Sequence, residues 1–156
     1  MTLKIGQKAP GIKLADQNGT VHQLKDYVGQ WVLVYFYPKD DTPGCTTEAC
    51  TLRDNFPKFK KLKAVVLGIS VDSVQKHETF ANKYELPFTL LADEDKKVVE
   101  SYGVWTEKSM YGRKYMGTLR TSFLIDPTGK IAKIYENVKP ALHAEEVLAD
   151  IASLIK

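Results

Sequence analysis

Two short, continuous apolar segments constrain the fold of this chain more than any other feature of its sequence. They are Trp31 to Tyr37 (WVLVYFY), which is rich in aromatic residues and valine, and Ala64 to Val71 (AVVLGISV), which is rich in β-branched residues. An apolar run without polar alternation is typical of a strand that is buried on both faces. The stretch between them, Cys45 to Leu62, has the pattern of a helix with a polar, lysine-rich face. The sequence therefore predicts a strand, a helix and a second strand in succession.

The rest of the chain continues this alternation. Further helices are predicted at Ser73 to Tyr84, at 95–102 and at the C-terminus, where Val147, Leu148, Ile151, Leu154 and Ile155 face inward. Further strands are predicted at Thr89 to Ala92, Ser122 to Asp126 and Ile131 to Tyr135, the last two forming a hairpin. The stretch from Tyr111 to Gly117 is predicted to be a loop over the sheet end. This order predicts an α/β protein with a thioredoxin-like fold, in which a mixed central sheet is flanked by helices, as one domain over residues 1–156.

Charge and hydropathy exclude several classes of function. The net charge of the 156-residue chain is +3, which is too small to indicate nucleic-acid binding. The lysines of residues 58–63 are better explained as a solvated helix face. The N-terminal segment MTLKIGQKAP has no apolar region of the kind found in secretory signals. The most apolar window, Trp31 to Tyr37, is too short to span a bilayer. We therefore expect a cytoplasmic protein that binds neither nucleic acid nor membrane.

The only two cysteines of the chain lie in the segment PKDDTPGCTTEAC, from Pro38 to Cys50. In the cytoplasm a close pair of cysteines is more often catalytic or metal-binding than a structural disulfide. Thr42 is predicted to be the N-cap of the helix, with Pro43 at its first position and Cys45 at its third. A thiolate there lies among free backbone N–H groups at the positive end of the helix dipole. The sequence therefore predicts that Cys45 is a reactive nucleophile.

Two acidic residues would be expected to make Cys45 less reactive, because negative charge near a thiol disfavours the thiolate. They are Asp40 and Asp41, close to Cys45 in sequence. A cation from another part of the chain should offset them, and Arg120, just before a predicted strand, is the candidate.

The five-residue spacing from Cys45 to Cys50 is unsuited to a static disulfide. In an intact helix the two residues are about 140° apart around the axis, with Cα atoms about 8.5 Å apart. A disulfide needs Cα atoms roughly 4.4–6.8 Å apart. The sulfurs can bond only after the first turns unwind, where Thr46, Thr47 and Thr51 are weak helix formers. The spacing thus favours a switch between a folded dithiol form and a locally unfolded disulfide form.

Other interpretations of the cysteine pair remain open at this point. Free cysteines can be small core residues, or soft ligands of a metallochaperone with the same fold. Metal binding has little support, because His22, His77 and His143 are scattered and none lies within a helical turn of a cysteine. His77, on a helical stripe, is better explained as a packed residue than as a ligand. A thiol–disulfide oxidoreductase acting on proteins would be expected to carry a C-x-x-C pair instead.

The residues around Cys45 also carry a family pattern. Pro38-x-x-x-Thr42-x-x-Cys45 resembles the active-site motif P-x-x-x-T/S-x-x-C of the peroxiredoxins. The continuation GCTTEAC is similar to the Q-type branch, also called bacterioferritin comigratory protein. The later segments YGVWTEK, YGRKYMG and RTSFLIDPTGK resemble the same branch. The resemblance covers essentially the whole chain.

This resemblance implies a thiol-dependent peroxidase with a thioredoxin-like fold and without a metal or organic cofactor. It implies that Cys45 is the peroxidatic cysteine and Cys50 the resolving one, joined after turnover in an intramolecular disulfide. It further implies that Pro38, Thr42 and Arg120 frame the peroxide and that Glu48 orients Arg120. Thioredoxin, or a glutaredoxin-type donor, is then the expected reductant of a monomeric enzyme.

Overall fold

A seven-stranded mixed sheet forms the centre of the molecule in a computed structural model that describes residues 3–155. The strands are β1 (Lys13–Asp16), β2 (Val21–Gln23), β3 (Trp31–Phe36), β4 (Ala64–Ser70), β5 (Thr89–Ala92), β6 (Trp105–Met110), β7 (Arg113–Thr118), β8 (Ser122–Ile125) and β9 (Ile131–Tyr135). The α-helices are α1 (Pro43–Lys61), α2 (Val74–Tyr84), α3 (Lys97–Ser101) and α4 (His143–Ile155). The order in the main sheet is β2-β1-β5-β4-β3-β8-β9, and β6 and β7 form a separate two-stranded sheet.

The two apolar segments predicted to be buried strands form β3 and β4, which are neighbours at the centre of the sheet. β3 pairs with β4 in parallel, and β4 pairs with β5 in parallel. On its other side β3 pairs with β8 in antiparallel register. Because βαβ connections place helices on the faces of a parallel sheet, both faces of the central strands are covered. The prediction of a mixed sheet flanked by helices is confirmed.

Alternate side chains of β3 belong to two different cores. Leu33 and Tyr35 pack with residues of α1, α2 and α4 on one face. Val32 and Val34 pack with residues of α3 on the other face. This alternation follows from the period of two along a strand, and it explains why a strand covered on both sides is apolar throughout.

The structure corrects the prediction for Tyr111 to Gly117. This segment is not a loop but the turn of the β6–β7 hairpin and most of β7. Met110 pairs with Arg113, so Tyr111 and Gly112 form a two-residue connection, and both have positive φ values of 53° and 78°. Two-residue hairpin turns favour this backbone conformation because its twist matches that of the strands.

Other differences from the predicted elements lie at the edges of the fold. The edge strand β2 and its neighbour β1 were not predicted, because each is short and only partly apolar. Leu154 and Ile155 were predicted to face inward but are 42% and 52% exposed. Val147 and Ile151 of the same stripe are fully buried, so the last turn of α4 extends past the core on which the helix packs. Within residues 3–155, no helix has the length and apolar character required to cross a membrane.

Gly68 in β4 allows the close packing of a buried tyrosine from the neighbouring strand. A Cβ atom at this position would lie 2.7 Å from the Tyr35 hydroxyl oxygen. The Tyr35 ring is fully buried and stacks against Tyr37, with a centroid separation of 5.4 Å. The ring therefore has little room to move away from an added methyl group.

We predict that Gly68→Ala lowers the free energy of unfolding by about 1–3 kcal/mol, the usual cost of overpacking a core. Urea denaturation measures the change. Gly11→Ala is the matched control, because a Cβ at Gly11 would meet no atom of the described chain within 4 Å. Equal stability of Gly68→Ala and the parent protein would contradict this account of the β3–β4 packing.

Candidate functional site

The segment from the end of β3 to the start of α1 places Cys45 at a helix N-terminus. Thr42 has the extended backbone of an N-cap and Pro43 is the first helical residue, so Cys45 is the third, as predicted. The Thr42 hydroxyl donates to the carbonyl oxygen of Lys39 at 2.8 Å and makes no capping hydrogen bond to the helix within the described chain. The first backbone N–H groups of α1 are therefore not occupied by a side-chain cap. Their partial positive charge acts on the buried Cys45 sulfur.

Arg120 contacts Cys45 because of the register between β3 and β8. Ser122 at the start of β8 pairs with Tyr35, and the Phe36 N–H donates to the Thr121 carbonyl oxygen at 2.9 Å. The chain just before β8 thus lies beside the end of β3. From there the Nη2 group of Arg120 donates to the Cys45 Sγ atom at 3.4 Å.

The same guanidinium group is held from its other side by Glu48. Its Nη1 group donates to Glu48 Oε1 at 2.8 Å. Glu48 lies one turn after Cys45 in α1 and is fully buried. Burial raises the pKa of Glu48 to about 7, against the opposing effect of the Arg120 charge. Its second oxygen, Oε2, has no hydrogen-bond partner among residues 3–155.

Gly44 allows Arg120 to reach the sulfur. A Cβ atom on Gly44 would lie 2.9 Å from the Nη2 atom of Arg120, closer than real contacts allow. The sequence analysis did not identify this role. The available signal was a glycine in the first turn of a helix, a position where it weakens the helix and therefore often marks a close approach.

Asp40 and Asp41 do not face the sulfur, which corrects the expectation that Arg120 offsets them. Asp40 is buried, and its Oδ2 atom lies 2.6 Å from His77 Nδ1. Asp41 lies at the surface, 2.8 Å from the Lys83 Nζ atom. Each acidic residue therefore has its own partner on α2, and Arg120 is free to contact Cys45 and Glu48.

Cys50 lies on the same intact helix as Cys45, and the two thiols are not joined. Cys45 is buried and Cys50 is partly exposed. Since α1 is helical from Pro43 onward, the Cα atoms of the two residues are about 8.5 Å apart. This is the dithiol arrangement that the spacing predicts. Pro38, directly after Tyr37 at the end of β3, is partly buried.

Three buried side chains near the site could hold a metal ion. One ligand atom from each of Asp40, Asp72 and His77 lies within 4.8 Å of the others. All three are already linked by hydrogen bonds to other protein groups. Neither cysteine is part of this group of residues.

The chain is similar to known proteins over most of its length. Residues 5–134 match the model of the AhpC/TSA family. The chain belongs to this family. It is 46% identical to peroxiredoxin Bcp of Bacillus subtilis (strain 168), over 99% of this chain and 98% of that protein. It is 52% identical to peroxiredoxin Bcp of Escherichia coli (strain K12), over 94% of each chain.

A solved structure extends the likeness to the whole fold. The structure of the Xanthomonas campestris bacterioferritin comigratory protein superposes with a TM-score of 0.91 at 36% identity, covering 98% of this chain and all of that one. The family and the Q-type branch expected from the Cys45 motif are confirmed, together with the thioredoxin-like fold of the peroxiredoxins.

Glu48 should make the stability of this AhpC/TSA-family protein depend on pH. Its pKa is about 7 in the folded protein and 4.5 for an ordinary glutamate. Between these values the folded state keeps a proton that the unfolded chain releases, so stability falls as the pH rises through this window. The fall should be on the order of 3 kcal/mol, at about 1.4 kcal/mol per pKa unit.

We predict that Glu48→Gln removes this part of the pH dependence, because glutamine does not ionise. Urea denaturation at several pH values from about 4.5 to 8 measures the effect. Glu145→Gln removes an exposed carboxylate from α4 and is the control. If the pH profiles of Glu48→Gln and Glu145→Gln coincide, Glu48 does not ionise with the shifted pKa.

Proposed function

We propose that this chain is a thiol-dependent peroxidase that reduces hydrogen peroxide and organic hydroperoxides to water and alcohols. The observation that carries the proposal is the contact of Arg120 Nη2 with the Cys45 sulfur, at 3.4 Å, on the open start of a helix. A cation and a set of free N–H groups there favour the thiolate. The peroxiredoxin relatives support the assignment of this thiolate to peroxide chemistry.

In the first step the Cys45 thiolate attacks one peroxide oxygen. The S–O bond forms as the O–O bond breaks, so that Cys45 is oxidised to a sulfenic acid. The departing oxygen leaves as hydroxide or alkoxide and takes up a proton. Reactivity cannot come from acidity alone, since the nucleophilicity of a thiolate falls as its pKa falls. Donors that stabilise the lengthening O–O bond must supply the acceleration, and the Arg120 guanidinium is the charged one.

Thr42, Pro38 and the backbone complete the peroxide site in this proposal. The Thr42 hydroxyl group belongs to the N-cap residue of α1. Its hydrogen is directed at the Lys39 carbonyl oxygen, so its oxygen is oriented to accept a hydrogen bond from the peroxide O–H group. The Cys45 N–H and Arg120 are then the donors. Pro38 has no N–H group and shapes the segment that shields the sulfur.

In the second step Cys50 condenses with the sulfenic acid of Cys45, releasing water and forming an intramolecular disulfide. The distance between the two residues in the intact helix requires the first turns of α1 to unwind. The helix start suits this change, because Thr42 does not cap it through its side chain within residues 3–155 and its described first turn has no acidic residue. Neither form of side-chain support for a helix N-terminus is present there.

An external dithiol then restores both thiols by exchange. We propose thioredoxin as this reductant, or a glutaredoxin-type donor, with the enzyme acting as a single-domain monomer in the cytoplasm. No metal or organic cofactor takes part in these steps.

We predict that one equivalent of hydrogen peroxide oxidises the reduced protein to an intramolecular disulfide. Intact mass should fall by about 2 Da, the mass of two hydrogens, and non-reducing gels should show no covalent dimer. Cys50→Ser should instead gain about 16 Da as a trappable sulfenic acid, since the resolving thiol is absent. Cys45→Ser should not consume peroxide. Normal peroxide consumption by Cys45→Ser would overturn the proposed function.

Gly44→Ala should separate reactivity from stability. The added methyl group displaces the flexible end of Arg120 from the sulfur, whereas alanine strengthens a helix by about 1 kcal/mol relative to glycine. We predict that the second-order rate constant for peroxide falls at least about tenfold, the equivalent of about 1.4 kcal/mol, while the protein remains as stable as the parent. Stopped-flow kinetics and urea denaturation measure the two effects.

Thr47→Ala is the matched control for Gly44→Ala, because it also improves helix propensity in the same part of α1. Thr47 is exposed, and the hydrogen bonds of Arg120 at the site go to Cys45 and Glu48 rather than to Thr47. Its rate constant for peroxide should stay within twofold of the parent. If Gly44→Ala behaves like Thr47→Ala, the Arg120 contact does not drive the reaction.

A further inference from the structure

A set of buried polar side chains, which we call the Asp40 network, holds the connection between β3 and α1. It consists of Tyr37, Asp40, Ser70, Asp72 and His77. His77 Nδ1 lies 2.6 Å from Asp40 Oδ2, and the Tyr37 hydroxyl donates to Asp40 Oδ1 at 2.5 Å. The backbone N–H of Asp40 donates to Asp72 Oδ2 at 2.9 Å, and the Ser70 hydroxyl donates to the same oxygen at 2.7 Å. Asp40 is thus fixed through both carboxylate oxygens and through its backbone.

The hydrogen bonds of His77 define where its protons lie. The Nε2 atom is 2.9 Å from the Leu91 carbonyl oxygen, which can only accept, so Nε2 carries a hydrogen. Nδ1 faces the Asp40 carboxyl group, so one further proton lies between these two atoms. Tyr37 donates to the other carboxyl oxygen. His77 and Asp40 therefore share a short hydrogen bond between buried side chains, where hydrogen bonds are stronger than in water.

The partners of Asp40, and the residues that bind those partners in turn, lie in or next to strands and helices of the fold. Tyr37 follows β3, Ser70 ends β4, His77 lies in α2 and Leu91 lies in β5. Asp40 itself belongs to the connection between β3 and α1, two residues before Thr42. On the outer side of this connection Asp41 binds the Lys83 ammonium group at 2.8 Å and the Tyr84 hydroxyl at 2.7 Å. Residues of α2 therefore bind two consecutive residues of this connection, Asp40 and Asp41.

We propose that His77 and Tyr37 are positioning residues for peroxide reduction, acting through Asp40. They fix the connection so that Pro38 and Thr42 stay over the Cys45 sulfur, and they keep it fixed when the first turns of α1 unwind. This inference rests on the proposed function, to which it adds residues that do not touch the peroxide. A metal ion at the same place would have to displace the hydrogen bonds of Asp40, Asp72 and His77, each of which is already made.

Two substitutions of His77 separate its two hydrogen bonds. The amide nitrogen of asparagine takes the place of Nδ1, so His77→Asn keeps a donor to Asp40 and loses the donor to Leu91. The amide nitrogen of glutamine reaches the place of Nε2, so His77→Gln keeps the donor to Leu91 and loses the donor to Asp40. A purely structural role makes the two variants similar, whereas a positioning role makes His77→Gln the more impaired.

We expect the second-order rate constant for hydrogen peroxide to fall at least about tenfold in His77→Gln, as for loss of a buried hydrogen bond. His77→Asn should stay within about threefold of the parent. Hydrogen exchange followed by mass spectrometry should show faster exchange of residues 37–44 in His77→Gln than in His77→Asn. Equal rate constants and equal exchange in the two variants would overturn the proposal, and so would stoichiometric zinc in the purified protein.

The chain carries a chemically matched control at the β1–β2 edge of the sheet. His22 Nε2 lies 2.7 Å from Asp16 Oδ2, and its Nδ1 lies 2.6 Å from the Tyr27 hydroxyl. His22→Asn loses the hydrogen bond of Nε2 to Asp16, as His77→Gln loses the hydrogen bond of Nδ1 to Asp40, but at a place away from the β3–α1 connection. It should leave the peroxide rate constant and the exchange of residues 37–44 within twofold of the parent, and an effect as large as that of His77→Gln would overturn the proposal.

Tyr37→Phe provides an independent variant if the His77 variants do not fold. It removes the hydroxyl group that donates to Asp40 and keeps the aromatic ring, which packs in the core. Residues 37–44 should exchange faster than in the parent, and unchanged exchange would overturn the positioning role. The exchange measurement does not depend on peroxide chemistry. Faster exchange with a parent that does not react with peroxide would therefore refute the proposed function alone.

Discussion

The site depends on one guanidinium group that lies between a sulfur atom and a carboxyl group on the same helix. Arg120 contacts Cys45 through Nη2 and Glu48 through Nη1. Buried charges are stable only when paired, so the arrangement needs all three groups. The antiparallel register of β8 against β3 brings Arg120 to the helix start, and the absence of a side chain on Gly44 lets it stay there. The pairing of β3 with β8 in the central sheet therefore positions Arg120 beside Cys45 and Glu48.

Helix α1 has two opposed requirements in this account. While it is formed, its first turn directs N–H groups toward Cys45 and keeps Cys50 out of bonding range. After oxidation it must unwind so that the sulfurs can meet. A helix start without side-chain support serves both needs, because unpaired N–H groups remain available to the thiolate and the turn is easily opened. The Asp40 network, on the other side of Thr42, supplies the rigidity that this turn lacks.

The start of α1 could be predicted from sequence because its signals are local. Thr42, Pro43 and the spacing from Cys45 to Cys50 follow rules of helix capping and helix geometry that need no tertiary structure. The contact of Arg120 with Cys45 and the partners of Asp40 arise from strand register and helix packing, which distant parts of the chain determine. For the same reason Asp40 was interpreted as a charge opposing the thiolate, whereas the fold turns it toward His77. The β6–β7 hairpin was missed because Tyr111-Gly112 is a weaker turn signal than Asn-Gly.

The central claim is that the same turn of α1 is formed in the dithiol and unwound in the disulfide. Hydrogen exchange of the two forms, followed by mass spectrometry of peptides covering residues 43–50, tests it most directly. The account predicts slow exchange of these amides in the dithiol form and fast exchange in the disulfide form, with the amides of β3 and β4 protected in both. A disulfide between Cys45 and Cys50 with undiminished protection of residues 43–50 would contradict it.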